Sequence, residues 1–122
     1  MLSFGIMQGR LTPSNGNGIQ FFPFGNWEKE FEECLRLKLD EIEWIFDYDM
    51  YEENPLWSIN GVYHIKQVMN ATGIKVRSVC FDYFMRRPFF KYNTLAIYKE
   101  NIEFIKRILE GMNNINAVRN LP

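Results

Sequence analysis

The sequence predicts an α/β fold in which parallel strands alternate with helices. Three short apolar stretches each precede a segment with helical periodicity, so the predicted order is β-α-β-α-β-α. Alternation at this spacing implies right-handed crossovers, which bring the strands into one parallel sheet. The chain has 122 residues, of which 47% are hydrophobic and 24% are charged, and these values suit one globular domain.

The predicted strands cover residues 2–9, 40–46 and 74–80. In the second strand, successive side chains point to opposite faces of the sheet. One face would carry Ile42, Trp44 and Phe46, and the other would carry Glu41, Glu43 and Ile45. The alternation therefore separates an apolar face of the strand from a face that carries carboxylates.

The first two predicted helices have recognisable ends. Asn26 is a plausible cap for the first helix, whose apolar stripe comprises Trp27, Phe31, Cys34 and Leu35. Ser58 can cap the second helix, and Gly73 stands where a left-handed residue would end it. The predicted buried stripe of this second helix comprises Ile59, Val62, Ile65 and either Val68 or Met69.

The third helix is predicted from about Asn93 to Gly111. Its apolar residues follow one another at spacings of three and four, which is the signature of an amphipathic helix. They are Leu95, Tyr98, Ile102, Ile105, Leu109 and Met112. The segment after this helix has only Ile115, Ala117 and Val118 as apolar side chains among polar ones, so it reads as a weak fourth strand at best.

Composition and charge narrow the functional class. The net charge of −1 argues against a general nucleic-acid or membrane-surface binder, since these classes carry a basic excess. No segment reads as a signal peptide or approaches the length of a membrane span. Cys34 and Cys80 form no metal-binding or redox motif, so we interpret them as buried, reduced thiols of a cytoplasmic protein.

Polar side chains stand at the carboxyl ends of all three predicted strands, where parallel α/β proteins bind their ligands. The first strand ends on Gln8, Gly9 and Arg10, Glu43 lies in the second, and Asp82 and Arg86 follow the third. The Gln8 amide and the Arg10 guanidinium could hydrogen-bond a polyol or a phosphate. We predict substrate contacts from these five polar side chains, although Arg10 and Asp82 could instead hold their own loops, and Arg86 could simply be a surface residue.

Glu43 permits two interpretations. A carboxylate within a buried strand is costly unless it is hydrogen-bonded, paired or bound to a metal. In the functional interpretation it contacts a sugar hydroxyl or supports a metal site. In the structural one it lies on an exposed face of the sheet or pairs with a neighbour such as Arg77.

Five segments together resemble the amino-terminal part of the sugar phosphate isomerases and epimerases. These segments read GIMQGRLTP, IQFFPFGNWEKEF, LDEIEWIFD, NPLWS and IKVRSVCFDYFMRRPF. The family belongs to the xylose isomerase-like superfamily of (β/α)₈ TIM barrels, which also includes endonuclease IV-type enzymes. The resemblance implies a partial (β/α)₈ barrel of about three βα units over residues 1–112, and a small, open, doubly wound sheet is the alternative fold.

The resemblance also implies a metal-dependent isomerase or epimerase of carbohydrate metabolism. Such an enzyme moves a proton through an enediolate of a ketose or ketose phosphate, and its divalent metal would be Mn, Mg, Co or Zn. The usual metal ligands and acid–base carboxylates lie in the second half of the barrel, so no metal ligand and no catalytic residue can be assigned in this chain. We therefore expect the chain to be inactive alone, with residues 113–122 as an irregular tail that a truncation, a frameshift or a deliberate fragment would explain.

Two further functions belong to other classes. In the first, open strand edges recruit a second copy or a complementary barrel half, and the chain is a non-catalytic binding or assembly module. In the second, the chain processes nucleic acid in the manner of the endonuclease IV branch. Near-neutral charge and the single histidine count against this second function, so we expect neither a nucleic-acid nor a membrane partner.

Overall fold

The computed structural model describes residues 3–13, 16, 21–81, 83, 95–115 and 119–121. Within these residues, four strands and three helices alternate along the chain, which confirms the predicted α/β class. They are β1 (Gly5–Met7), α1 (Trp27–Arg36), β2 (Glu41–Ile45), α2 (Ile59–Thr72), β3 (Lys75–Cys80), α3 (Leu95–Asn114) and β4 (Arg119–Leu121). Two 3-10 turns, Tyr51–Glu53 and Pro55–Trp57, connect β2 to α2.

The described strands form one parallel sheet in the order β1-β2-β3-β4. Each strand therefore pairs with the next one along the chain, and β1 and β4 are the two outer strands. The short β4 falls in the segment that the sequence pattern reads as an irregular tail or a weak strand. Helix α2 contacts both α1 and α3, which places the three described helices in one layer against the sheet.

The core lies between this helix layer and the strands β2 and β3. Ile42, Trp44 and Phe46 are each no more than 1% exposed, which confirms the face predicted from alternation. The Trp44 ring has its centroid 5.3 Å from that of Phe22 and 5.5 Å from that of Trp27. The aromatic residues before and within α1 therefore pack into the core, where each large ring removes much apolar surface from water.

Helix α2 begins and ends at the two predicted residues. The Ser58 hydroxyl accepts a hydrogen bond from the Gly61 backbone N–H at 3.0 Å, and Gly73 adopts a left-handed φ of 75°. Asn26 occupies the cap position of α1, but its side chain makes no capping hydrogen bond. The prediction for Ile59 was wrong, because this first residue of α2 is 89% exposed.

Helix α3 buries a face that only partly coincides with the predicted one. Of the predicted stripe, Met112 is buried and Ile102 and Ile105 are half-buried, while Leu95, Tyr98 and Leu109 stay exposed. Ile108 is also buried, and Ile115 follows it in the core. The sequence of α3 contains two overlapping apolar stripes, and the absence of a side chain at Gly111 determines which of them is buried. A Cβ at Gly111 would lie 2.9 Å from the Leu56 carbonyl oxygen, so the helix can approach the Pro55–Trp57 turn closely only on the glycine side.

Asn54 connects the end of β2 to the turn that follows. This side chain is 2% exposed, and its Oδ1 accepts hydrogen bonds from Trp44 Nε1 and from the Leu56 N–H, each at 3.0 Å. Its Nδ2 donates to the Ile45 carbonyl oxygen, also at 3.0 Å. One buried amide therefore satisfies a core indole, a strand end and a turn, as buried polar groups require.

The two cysteines are buried and form no disulfide. Burial, followed by the nearby Asp40 and Glu30 carboxylates, raises the pKa of the Cys34 thiol to about 11. The thiol of Cys34 is therefore protonated at neutral pH and is a poor nucleophile.

Among the described helices, none is both long enough and apolar enough to cross a bilayer.

Candidate functional site

The candidate site begins at the carboxyl ends of β1 and β2. Gln8 follows β1 directly and is only 1% exposed. Its backbone N–H donates to the Glu43 carbonyl oxygen at 3.0 Å, and its side-chain Oε1 accepts from the Ile45 N–H at 2.8 Å. The Gln8 side chain therefore supplies a hydrogen bond between the two strands at the point where β1 ends.

The other end of the Gln8 amide is a buried donor. The Nε2 atom has no hydrogen-bond partner within the part of the chain that the structure describes. Reversing the amide would set its NH₂ group against the Ile45 N–H, so that hydrogen bond fixes which atom is the oxygen. An unpaired buried polar group costs about 1–3 kcal/mol, and an acceptor oxygen from a bound molecule or water would remove this cost.

A row of side chains crosses the sheet beside Gln8. Met7 on β1 pairs in register with Glu43 on β2, and Glu43 pairs with Ser78 on β3. Glu43 is half-buried, and the Ser78 hydroxyl lies 3.4 Å from its Oε2. Glu41, Glu43 and this row lie on the sheet face opposite the one that packs on the helices. We call it the polar face.

The structural interpretation of Glu43 named the wrong partner. Arg77 Nε lies 3.4 Å from Glu41 Oε2, whereas the neighbour of Glu43 is Ser78. The cause is an irregularity in register, since β3 advances three residues from Lys75 to Ser78 while β2 advances two from Glu41 to Glu43. A bulge of this kind re-aims neighbouring side chains, so Arg77 and Ser78 each reach a glutamate of the polar face.

Arg10 lies at the edge of the same row. Its Nη2 is 3.7 Å from Met7 Sδ, which is a weak contact for a charged donor but locates the guanidinium beside Met7. Since Met7 is the register partner of Glu43, the structure brings Arg10 and Glu43 to one region of the polar face. Arg10 is exposed.

Glu30 belongs to this region, although the sequence interpretation missed it. It is fully buried, at 0% exposure, in α1. One of its oxygens accepts the Gly9 N–H at 2.8 Å, and the other accepts the Leu11 N–H at 3.2 Å and the Thr12 hydroxyl at 2.9 Å. A carboxylate with three donors can be buried without a cationic partner, because those hydrogen bonds replace much of its hydration.

A sequence signal for Glu30 exists. It falls three residues after Trp27 and four before Cys34, and both of these residues belong to the apolar stripe of α1. The run of glutamates in the same helix hid that signal, because acids in the first turns of a helix are also explained by the helix dipole.

The other predicted site residues are not described. Asp82 and Arg86 both lie outside the described residues, so their predicted roles at the third strand end stay predictions. Within the described ranges, no three His, Cys, Asp or Glu side chains are grouped so that they could hold a metal ion.

Compared with protein-family models and with curated proteins, the sequence matches none of them.

Proposed function

We propose that this chain binds a ketose phosphate at the carboxyl end of its sheet, as the substrate-binding part of a sugar phosphate isomerase or epimerase. The observation that carries the proposal is Gln8, whose side chain is 1% exposed and whose Nε2 donor has no partner among the described residues. A sugar hydroxyl or carbonyl oxygen is an acceptor that this donor can use.

The neighbours of Gln8 suit the remaining groups of such a ligand. The half-buried Glu43 carboxylate can accept a hydrogen bond from a second sugar hydroxyl. The exposed Arg10 guanidinium offers the paired N–H groups that bind a phosphate through two oxygens. An amide donor, a carboxylate acceptor and a guanidinium within one region form a binding set for a phosphorylated polyol.

The order of the strands supports a portion of a (β/α)₈ barrel over a doubly wound sheet. A doubly wound sheet reverses its strand order and places helices on both faces. The described strands instead follow chain order, and α2 contacts the helices before and after it. Successive parallel βα units of this kind are what a portion of a (β/α)₈ barrel contains.

The reaction class comes from the family resemblance alone. Isomerisation or epimerisation of a ketose phosphate transfers a proton at a carbon next to the carbonyl group. The described residues would bind and orient the sugar for that step. We assign no step to a divalent metal.

Calorimetric titration tests the proposal, with D-ribulose 5-phosphate and D-ribulose as probes. The wild-type chain is expected to bind the phosphate ester at least about tenfold more tightly, because a hydrogen bond to a charged group contributes roughly 1.5–3 kcal/mol. Arg10→Gln should lose most of this preference. Lys66→Gln removes one positive charge from an exposed position of α2 and should leave it unchanged. Absence of binding by the wild-type chain, or an unaltered preference in Arg10→Gln, would contradict the proposal.

A further inference from the structure

We infer that Glu30 is a positioning residue, which holds the loop after β1 so that Arg10 stays beside the polar face. The inference rests on the proposed function, since it explains how that site keeps its phosphate-binding group in place. Four observations carry it: the burial of Glu30, its bonds to the loop, the backbone of Gly9 and the location of Arg10.

Glu30 differs from the other acids of α1. Glu28 and Glu33 have side chains 54% and 38% exposed, and Glu32 is exposed as well. Glu30 alone among these four is fully buried, at 0% exposure. A solvated helix face explains the other three acids, but a buried carboxylate needs a specific set of donors.

The donors of Glu30 all come from one short loop. The Gly9 N–H, the Leu11 N–H and the Thr12 hydroxyl donate to its two oxygens at 2.8, 3.2 and 2.9 Å. Two of these donors flank Arg10 directly, so both peptide neighbours of Arg10 are attached to the same carboxylate. The Arg10 backbone can therefore move little while those bonds persist.

Gly9 permits this loop geometry. Its φ of 87° lies in the left-handed region, which most side chains disfavour. A Cβ at this position would also lie 3.1 Å from both the carbonyl oxygen and a ring carbon of Phe21. The glycine thus lets the chain turn sharply after Gln8 and present its N–H to Glu30.

The consequence for Arg10 concerns its side chain. With the backbone fixed on both sides, the guanidinium is located 3.7 Å from Met7 Sδ, at the edge of the row that contains Glu43. Loss of the Glu30 hydrogen bonds would let the loop move, so the Arg10 guanidinium would no longer be held in one position. The affinity for a phosphate group would then fall although the arginine is still present. Glu30 would then act on the ligand only through Arg10.

A double-mutant cycle tests this dependence in the full chain, by calorimetry with D-ribulose 5-phosphate. Glu30→Gln keeps the size of the side chain but places an NH₂ group against loop donors, so we expect about tenfold weaker binding in the wild-type background. In the Arg10→Gln background the same change should weaken binding less than about twofold. Equal losses in the two backgrounds would overturn the inference, since a general structural defect is additive. Glu32→Gln, at an exposed site of the same helix, is the matched control.

A second measurement keeps the test independent of the ligand. Hydrogen exchange at the Gly9 and Leu11 amides should accelerate at least about tenfold in Glu30→Gln, and the Arg10 Nε–H order parameter should fall. Glu30→Asp keeps the charge on a shorter side chain and should restore part of the protection. If the wild-type chain binds no ketose phosphate, the proposed function fails while these measurements still decide the role of Glu30. Unchanged exchange and order in Glu30→Gln would overturn that role.

Discussion

Asn54→Ala is expected to lower the free energy of unfolding by about 3–4 kcal/mol. The substitution removes the acceptor of two buried donors, the Trp44 indole N–H and the Leu56 backbone N–H. It also removes the donor to the Ile45 carbonyl oxygen. Each buried group that loses its partner costs about 1–3 kcal/mol, and partial entry of water keeps the total below the sum of the three.

Urea denaturation, monitored by tryptophan fluorescence, measures this loss. Asn70→Ala is the matched control, because Asn70 is an exposed asparagine on α2 and its replacement should change the free energy of unfolding by less than about 0.5 kcal/mol. A loss below about 1 kcal/mol for Asn54→Ala would show that the Asn54 bonds do not connect β2 to its turn.

Gly61→Ala is expected to destabilise the chain by about 1–3 kcal/mol, although helix propensity alone predicts the opposite sign. Alanine is favoured over glycine within a helix by about 0.8–1 kcal/mol. At this position, however, a Cβ would contact the Pro55 carbonyl oxygen and lie 2.6 Å from Pro55 Cα. Both are backbone atoms of the turn before α2, so neither can move aside as a flexible side chain would.

Helix propensity predicts that Gly61→Ala stabilises the chain, and the clash with Pro55 predicts that it destabilises it. Thermal unfolding measures which of the two effects is larger. Asn60→Ala is the neighbouring control, since Asn60 is an exposed residue in the same turn of α2 and should change the midpoint temperature little. A higher midpoint for Gly61→Ala would mean that α2 does not pack against the Pro55–Trp57 turn as closely as described.

Local patterns in the sequence predicted much of the fold. The alternating face of β2 follows from the two-residue repeat of a strand, so Trp44 needed no long-range information. Ser58 and Gly73 mark the ends of α2 because capping depends on a few adjacent residues. The face that α3 buries was not predictable in this way. That choice depends on Gly111 meeting Leu56, which lies in a distant part of the chain.

In the candidate site too, features set by local sequence patterns were predicted and features set by long-range contacts were missed. Gln8, Arg10 and Glu43 were predicted because polar residues at strand ends stand out from apolar strands. In the structure the Gln8 N–H donates to the Glu43 carbonyl oxygen, and Arg10 lies beside Met7, the register partner of Glu43. Glu30 was missed because its burial depends on how the loop of residues 9–12 folds back onto α1. The pairing of Arg77 with Glu41 was missed because a register shift between strands leaves no local trace in the sequence.

The most direct test of the proposed site is the side-chain amide resonance of Gln8, followed by NMR during a titration with D-ribulose 5-phosphate. The resonance can be assigned by its absence in Gln8→Glu. If Nε2 donates to the bound sugar, its proton signals should shift with the same saturation curve that calorimetry gives for binding, and Arg10→Gln should move that curve to higher ligand concentration. Binding that saturates while the Gln8 amide signals stay unchanged would contradict the proposed site.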